Sequence, residues 1–195
     1  ITRYADEVGA GLVVVGTHGR TGVRRVVLGS VAEAVARTSP CDVLVVPLHA
    51  SAPWSSRPTA RVLCAVDLLA GSEAVADRAA AVAHHLGADA PTLLYVDDES
   101  KPALLREIAA GPLSVWASGE TRDALAVAHG PVEAVTGTAA EAIVQHAEAH
   151  DADLVVVGSH QRGGAARALG SVAARVLRDA HRPVLLVRPL LPHPS

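Results

Sequence analysis

The sequence predicts an α/β fold, a five-stranded parallel sheet with helices on both faces, accompanied by the C-terminal part of a second copy. Apolar runs of strand length, such as "LVVVG", alternate with helical segments, and the runs are apolar at nearly every position. Strands of this composition are buried on both faces, which is typical of parallel sheets. Residues 1–48 are also similar to residues 143–190, which indicates a duplicated structural unit.

Residues 58–190 contain the elements of one complete copy. Strands are expected at 60–67, 91–98, within 123–135, at 152–158 and at 183–189, and helices at 73–86, 102–113, 139–150 and 171–179. Ser72 can cap the first of these helices, and Gly87 can end it in a left-handed conformation. Thr138 and Glu141 have the spacing of a capping box before the third helix.

The two copies align with a one-residue slip in a single loop. The aligned pairs are Ile1 with Ile143, Gly16 with Gly158, Gly29 with Gly170, and Ser30 with Ser171. We therefore expect a first domain at 1–48, a linker rich in Ser, Pro and Ala at 49–57, a second domain at 58–190 and a tail at 191–195. Because the sequence contains no Met, we expect that Ile1 is not a translation start and that the first domain lacks its opening strands.

The composition excludes several classes of protein. Of the 195 residues, 50% are apolar and 19% are charged, as in globular proteins. The net charge of −3 argues against a nucleic-acid partner. The apolar runs fall short of the roughly 18 residues that a membrane-spanning helix needs. No signal peptide is visible, and Cys41 and Cys64 lie in or beside strand-like runs, so we expect a cytoplasmic protein with reduced cysteines.

A glycine-studded loop, "GTHGRTGVRRVVLGS", begins at Gly16, directly after an apolar strand. It leads to a predicted helix at 31–38, whose free N–H groups and dipole favour an anion such as phosphate. The spacing is neither that of a P-loop nor that of a dinucleotide fingerprint. An alternative explanation needs no ligand, because Ser30 and Glu33 have the spacing of a capping box.

This loop resembles the signature of the universal stress protein family, which is Gly, two residues, Gly, nine residues, Gly, then Ser or Thr. Gly16, Gly19, Gly29 and Ser30 occupy those positions. The second copy adds the opening of the family, a first strand that ends in a "PVD"-like triplet, here "AVD" at 65–67. The resemblance covers essentially the whole chain outside the linker, as a tandem member with a truncated first domain.

The resemblance implies an adenine nucleotide alpha hydrolase-like, Rossmann-like fold, with adenine nucleotide bound in some members. ATP, alone or with Mg²⁺, would lie across the carboxyl ends of the strands, with the Asp after the first strand on the ribose side and the loop around the phosphates. Family dimers, or tandem pseudo-dimers, pair through the last strand. The candidate nucleotide-binding residues are Ala65, Val66, Asp67, Val96, Gly158, Ser159, His160, Arg162, Gly170, Ser171 and Val172, with Gly16, His18, Gly19, Gly29 and Ser30 in the first copy.

The second loop departs from the family pattern. Gln161 stands where the second Gly belongs, and eleven residues separate Gly158 from Gly170, against twelve in the first copy. The phosphate cradle of the second copy must therefore have a different shape. Each copy lacks part of the expected site, since the first has the intact loop without the Asp-bearing strand and the second has Asp67 with the altered loop.

Three functions stay open on the sequence alone. The chain can be a nucleotide-binding stress-response regulator, a scaffold that binds no nucleotide and acts through dimerisation or a partner, or a slow ATPase. The third has the least support, because the sequence offers no nucleophile–base pair and no carboxylate dyad at the loop. No metal ligands are predicted, because His18 and His160 have no further histidine at ligand spacing and because His84 and His85 point to different sides of a helix.

Overall fold

The structure is a computed structural model that describes residues 1–17, 28–48, 58–67, 72–98, 129–159 and 169–188. The elements in chain order are α1 (Thr2–Glu7), β1 (Leu12–Gly16), α2 (Ser30–Thr38), β2 (Asp42–Val46), β3 (Val62–Val66), α3 (Ser72–His85), β4 (Thr92–Asp97), β5 (Val132–Thr136), α4 (Ala139–Ala149), β6 (Leu154–Gly158), α5 (Ser171–Asp179) and β7 (Val184–Val187). The predicted helix at 102–113, the linker at 49–57 and the tail at 191–195 lie outside the described residues.

All seven described strands belong to one sheet, in the order β1-β2-β7-β6-β3-β4-β5. Strands β3 to β7 are all parallel to one another, which confirms the predicted five-stranded parallel sheet. Strands β1 and β2 are parallel to each other, and β2 pairs with β7 in the antiparallel sense. The last strand of the first copy therefore lies beside the last strand of the second, as the sequence predicts.

Helices cover both faces of the sheet, as predicted. Helices α2, α4 and α5 pack on one face, where the buried residues include Val35, Ile143 and Val176. Helix α3 packs on the other face through small side chains such as Ala76 and Ala79. Alanines let a helix approach a sheet of Val and Leu closely, which suits a chain that has no Phe and no Met. In the described part of the chain, no helix is both long and apolar enough to cross a membrane.

Strands β1 and β6 have the same sequence, "LVVVG", but different surroundings. Strand β6 is central and its Val156 is fully buried, whereas the aligned Val14 in β1 is 59% exposed. The difference arises because α3 covers β6, while β1 is the edge of the sheet and the same face of it is open in the described structure. The local sequence fixes a strand in both places, and the position in the sheet decides how much of it is buried.

The predicted capping box at Ser30 and Glu33 is wrong. Gly29 is the N-cap of α2, Ser30 is the first helical residue, and no side chain makes a hydrogen bond to the cap. The Glu33 carboxylate instead accepts a hydrogen bond from Arg37 Nη2 at 2.9 Å, one turn later on the same helix face. The ion pair with Arg37 replaces the expected bond to the backbone.

The second predicted capping box is also wrong, although its helix starts where expected. Thr138 is the N-cap of α4, but its side chain makes no capping hydrogen bond. Glu141 pairs with Arg175 of α5, so the carboxylate links two neighbouring helices. Gly87, by contrast, follows α3 with a φ of +71°, which confirms the predicted left-handed end of that helix.

Candidate functional site

The central part of the sheet contains a topological switch point. From β3 the chain passes to β4 on one side, whereas from β6 it passes to β7 on the other side. Strands β3 and β6 are parallel neighbours, with Ala65 opposite Val157, so their carboxyl ends lie side by side. Open α/β sheets bind their ligands at such a switch point, at the carboxyl ends of the strands.

Asp67 follows β3 at this switch point, and its side chain is exposed. Its carboxylate oxygen Oδ1 accepts a hydrogen bond from the hydroxyl of Ser72 at 2.8 Å. Ser72 is buried at the start of α3, so the helix fixes the orientation of the carboxylate. The sequence predicts Ser72 only as a helix cap, and the five-residue spacing to Asp67 is the signal that could have indicated this pairing.

Gly158 and Ser159 occupy the neighbouring end of β6. A Cβ atom on Gly158 would lie 3.0 Å from Val75 Cγ2 of α3, so packing alone favours glycine at this position. The backbone N–H of Ser159 donates to the carbonyl of Val187 at 2.9 Å. Its side chain is fully buried, and its hydroxyl has no hydrogen-bond partner within the described structure. A buried hydroxyl in this state is costly unless a further group satisfies it.

Helix α5 is the first described helix after β6. Its N-cap is Gly170 and its first residue is Ser171, and no side chain bonds to the cap. The first turn carries no acidic residue, in contrast to α2, which has Glu33 there. The N–H groups of the first turn and the positive end of the helix dipole therefore remain available to an anion.

The other predicted residues of the second copy lie near the same strand ends, with different exposures. Val66 and Val96 are 6% and 7% exposed, and they belong to the cores on opposite faces of the sheet. Ala65 is half-buried next to Val66, and Val172 is 36% exposed on α5. Two further predicted residues of this loop, His160 and Arg162, lie outside the described residues.

The candidate residues of the first copy lie elsewhere. Strand β2 is antiparallel to β7. The carboxyl ends of β1 and β2 therefore point in the opposite direction to those of β3 and β6. Gly16, Gly29 and Ser30 therefore form a group separate from Asp67. A Cβ atom on Gly29 would lie 2.8 Å from the carbonyl oxygen of Thr17, so steric crowding alone explains a glycine at this position. His18 and Gly19 lie outside the described residues.

One cluster escaped the sequence analysis, which predicted no metal ligands. Glu133 of β5, His146 of α4 and His150, the C-cap residue of α4, bring one ligand atom each to within 4.8 Å of one another. The His-x₃-His spacing is the sequence signal that could have found it, because residues four apart lie on the same face of a helix. None of the candidate nucleotide-binding residues takes part in this cluster.

Taken together, the doubly wound sheet and its switch point define an α/β protein with a candidate anion site at the carboxyl ends of two central strands. The family model of the universal stress protein family matches residues 1–47 and 58–188. A universal stress protein from Mycolicibacterium smegmatis is 34% identical over 196 aligned positions, which cover 92% of this chain and 62% of that protein. This chain belongs to the universal stress protein family.

Solved structures share the fold. A functionally unknown protein from Pseudomonas aeruginosa is similar with a TM-score of 0.70 at 19% identity, over 96% of this chain and 66% of that one. A universal stress protein from Archaeoglobus fulgidus has a TM-score of 0.60 at 23% identity, over 96% and 63%. The chain thus spans about two thirds or less of the length of these relatives.

Proposed function

We propose that this chain is a regulatory module of the stress response that binds an adenine nucleotide, with ATP as the candidate, at the carboxyl ends of β3 and β6. The observation that carries the proposal is the N-terminus of α5, which has neither a side-chain cap nor an acidic residue in its first turn. A phosphate group there would accept hydrogen bonds from N–H groups that have no partner in the helix. Binding would break no capping bond.

Two further features of the second copy support the same ligand. Asp67, held by Ser72, offers a carboxylate to a ribose hydroxyl. The buried hydroxyl of Ser159 lacks a hydrogen-bond partner among the described residues and lies one residue after β6, where a phosphate oxygen could satisfy it. Where Mg²⁺ accompanies the nucleotide, phosphate oxygens and a carboxylate are the ligands that it prefers.

A scaffold that binds no nucleotide is the second candidate function, and two observations favour it. The Gly158 position is explained by the contact that a Cβ would make with Val75, without a ligand. The loop after β6 is also one residue shorter than its counterpart and has Gln161 in place of glycine. On this alternative, the pairing of β2 with β7 would be the functional feature, and the module would act through assembly.

The proposal also includes the domain organisation, the location and the absence of fast turnover. We place the domains at 1–48 and 58–190, joined by the linker at 49–57 and followed by the tail. A cytosolic location is part of the proposal, and the absence of a disulfide between Cys41 and Cys64, which are both free, is consistent with it. The described site offers no nucleophile–base pair, so ATP would act as a ligand or be hydrolysed only slowly.

Mass spectrometry of a denatured extract of the purified chain tests the proposal first, by searching for a bound adenine nucleotide. Calorimetric titration with ATP then compares the unaltered chain with Asp67→Ala. We expect this change to abolish detectable binding. Asp89→Ala is the matched control, because Asp89 is an exposed aspartate that precedes β4, at the amino ends of the strands. No nucleotide and no ATP binding by a folded chain would favour the scaffold.

The altered loop gives a second test that separates the two functions. Inserting a glycine after His160 restores the loop length of the first copy. Each recovered charge-assisted hydrogen bond is worth about 1.5–3 kcal/mol, so one or two of them would tighten ATP binding roughly tenfold to a thousandfold or more. Tight binding by the unaltered chain, or no gain from the insertion in a protein that still folds, would contradict this account of the loop.

A further inference from the structure

Three potential metal ligands converge at a place distant from the candidate nucleotide site. Glu133 lies near the beginning of β5, His146 lies in the last turn of α4, and His150 is the C-cap residue of that helix. Strands β3, β4 and β5 are parallel. The start of β5 therefore lies at the amino ends of these strands, whereas Asp67 lies at their carboxyl ends. The cluster and the candidate nucleotide site therefore lie at opposite ends of the strands.

The distances within the cluster suit a tetrahedral transition metal. The Nε2 atom of His146 lies 3.1 Å from Oε2 of Glu133. Two ligand atoms bound to tetrahedral zinc at about 2.0–2.2 Å lie roughly 3.3–3.5 Å apart, so these two atoms are nearly at the required separation. The third ligand atom, from His150, lies within 4.8 Å of the other two. Because His150 is exposed, a small rotation of its side chain can bring it closer without disturbing the core.

Hydrogen bonding and burial prepare these side chains for a metal. Nδ1 of His150 lies 3.0 Å from the backbone carbonyl of His146, so its N–H can donate there and leave the Nε2 lone pair for a metal. The imidazole of His146 is only 9% exposed, which limits its rotation. Arg61 Nη1 donates to the carbonyl of His150 at 3.0 Å and anchors the end of α4 to the segment before β3.

The fold itself does not require histidines at these positions. In the sequence repeat, Tyr4 aligns with His146 and Val8 aligns with His150, and α1 forms with those residues. Both side chains are exposed in the first copy, so a helix of this repeat forms with an aromatic and an aliphatic residue at these positions. The pair of imidazoles occurs only in the second of the two aligned segments, as expected for a bound ligand rather than for the shared scaffold.

We propose that Glu133, His146 and His150 form a binding site for one Zn²⁺ ion, with the fourth coordination position left to water or to a group of a partner. Two imidazole nitrogens and one carboxylate are a ligand set typical of zinc with an open position. The alternative is an ion pair between protonated His146 and Glu133, with His150 stacked on it at a ring distance of 4.0 Å. These two arrangements differ in whether the cluster binds a metal at all.

Titration of the full chain, without an affinity tag, with Co²⁺ tests the site. Co²⁺ replaces Zn²⁺ in tetrahedral sites and gives visible absorption bands there. We expect one Co²⁺ per chain, displaced by one Zn²⁺, and a loss of affinity of about 100-fold or more in Glu133→Gln and in His150→Ala, since even the loss of an outer-shell partner costs about 10–100-fold. Both residues are partly or fully exposed, so these variants should keep the fold; circular dichroism checks this.

His85→Ala is the matched control, because His85 is also an exposed histidine near a helix end, bonded to the backbone carbonyl four residues earlier. It should bind Co²⁺ as the unaltered chain does. Absence of the tetrahedral bands, or equal affinity in Glu133→Gln, His150→Ala and the unaltered chain, would overturn the site. Loss of binding in His85→Ala with retention in the other two variants would do the same.

Discussion

Asp42 is the polar centre of the junction between β2 and β7, and its replacement is predicted to be costly. One carboxylate oxygen accepts the backbone N–H of Arg188 at 2.8 Å, and the other pairs with Nε of Arg78 at 2.9 Å. The Asp42 side chain is 6% exposed, and the Arg188 guanidinium is buried, where it bonds to the carbonyl of Ala36. The carboxylate therefore serves a buried backbone donor and lies near two positive charges.

Asp42→Ala removes the carboxylate. The buried N–H of Arg188 then loses its acceptor, and the buried guanidinium of Arg188 loses a nearby negative charge. Removing one member of a buried ion pair costs about 3–5 kcal/mol. Burial raises the pKa of Asp42, which shows that the charged form is itself costly, so we expect the lower end, about 3 kcal/mol. Urea denaturation followed by circular dichroism measures this loss. Asp42→Asn keeps a carbonyl acceptor and removes a charge that burial disfavours, so it should cost less than Asp42→Ala.

Two comparisons decide whether the reasoning is correct. Glu7→Ala breaks an exposed pair with Arg3 one turn away in α1 and should cost about 0.5 kcal/mol or less. Equal losses in Asp42→Ala and Glu7→Ala would refute the argument.

Because the folded pKa of Asp42 is raised above 3.8, its contribution to stability is largest at low pH and is lost as the pH rises through the folded value. Asp42→Asn should lack this loss.

The remaining predictions concern the first copy. Val14→Thr and Val156→Thr alter the same position of the same pentapeptide, so the buried change should cost about 1–3 kcal/mol and the exposed one less than about 0.5 kcal/mol in urea denaturation; equal costs would show that β1 is covered in solution. A peptide of residues 1–48 should give no cooperative thermal transition, because it leaves two apolar strands without the rest of their sheet; a cooperative melt of the peptide alone would contradict this.

The sequence predicts the helices and strands well, because their signals are local or repeated. The helix at 171–179 and the left-handed Gly87 follow from periodicity and from backbone sterics, which do not depend on distant residues. The two predicted capping boxes are wrong because each carboxylate pairs with an arginine instead of with the backbone. The arginine that pairs with Glu141 is Arg175, which is 34 positions away in the sequence. Tertiary proximity of this kind cannot be obtained from one sequence.

The candidate sites show the same division. Asp67, Gly158 and Gly170 are predicted from the family motif and from the rule that ligands bind at strand ends, and they stay predictions. The cluster of Glu133 with the two histidines could be found only in part, because the helix spacing predicts the histidine pair but nothing in the sequence connects it to a strand that begins earlier in the chain. The folded structure supplies that connection, because it brings Glu133 of β5 to within 3.1 Å of His146 of α4.

The ends of the β2–β7 ladder favour pairing of two different segments, the last strand of the first copy with the last strand of the second. At one end of the ladder, Asp42 accepts the N–H of Arg188, and at the other end Pro183, which precedes β7, has no N–H to donate. In the sequence repeat, Pro183 takes the place of Asp42 and Pro47 takes the place of Arg188. Two copies of the second segment paired in this way would present two prolines and two buried arginines without a carboxylate. The polar ends of the ladder therefore favour pairing of the first segment with the second over pairing of like segments.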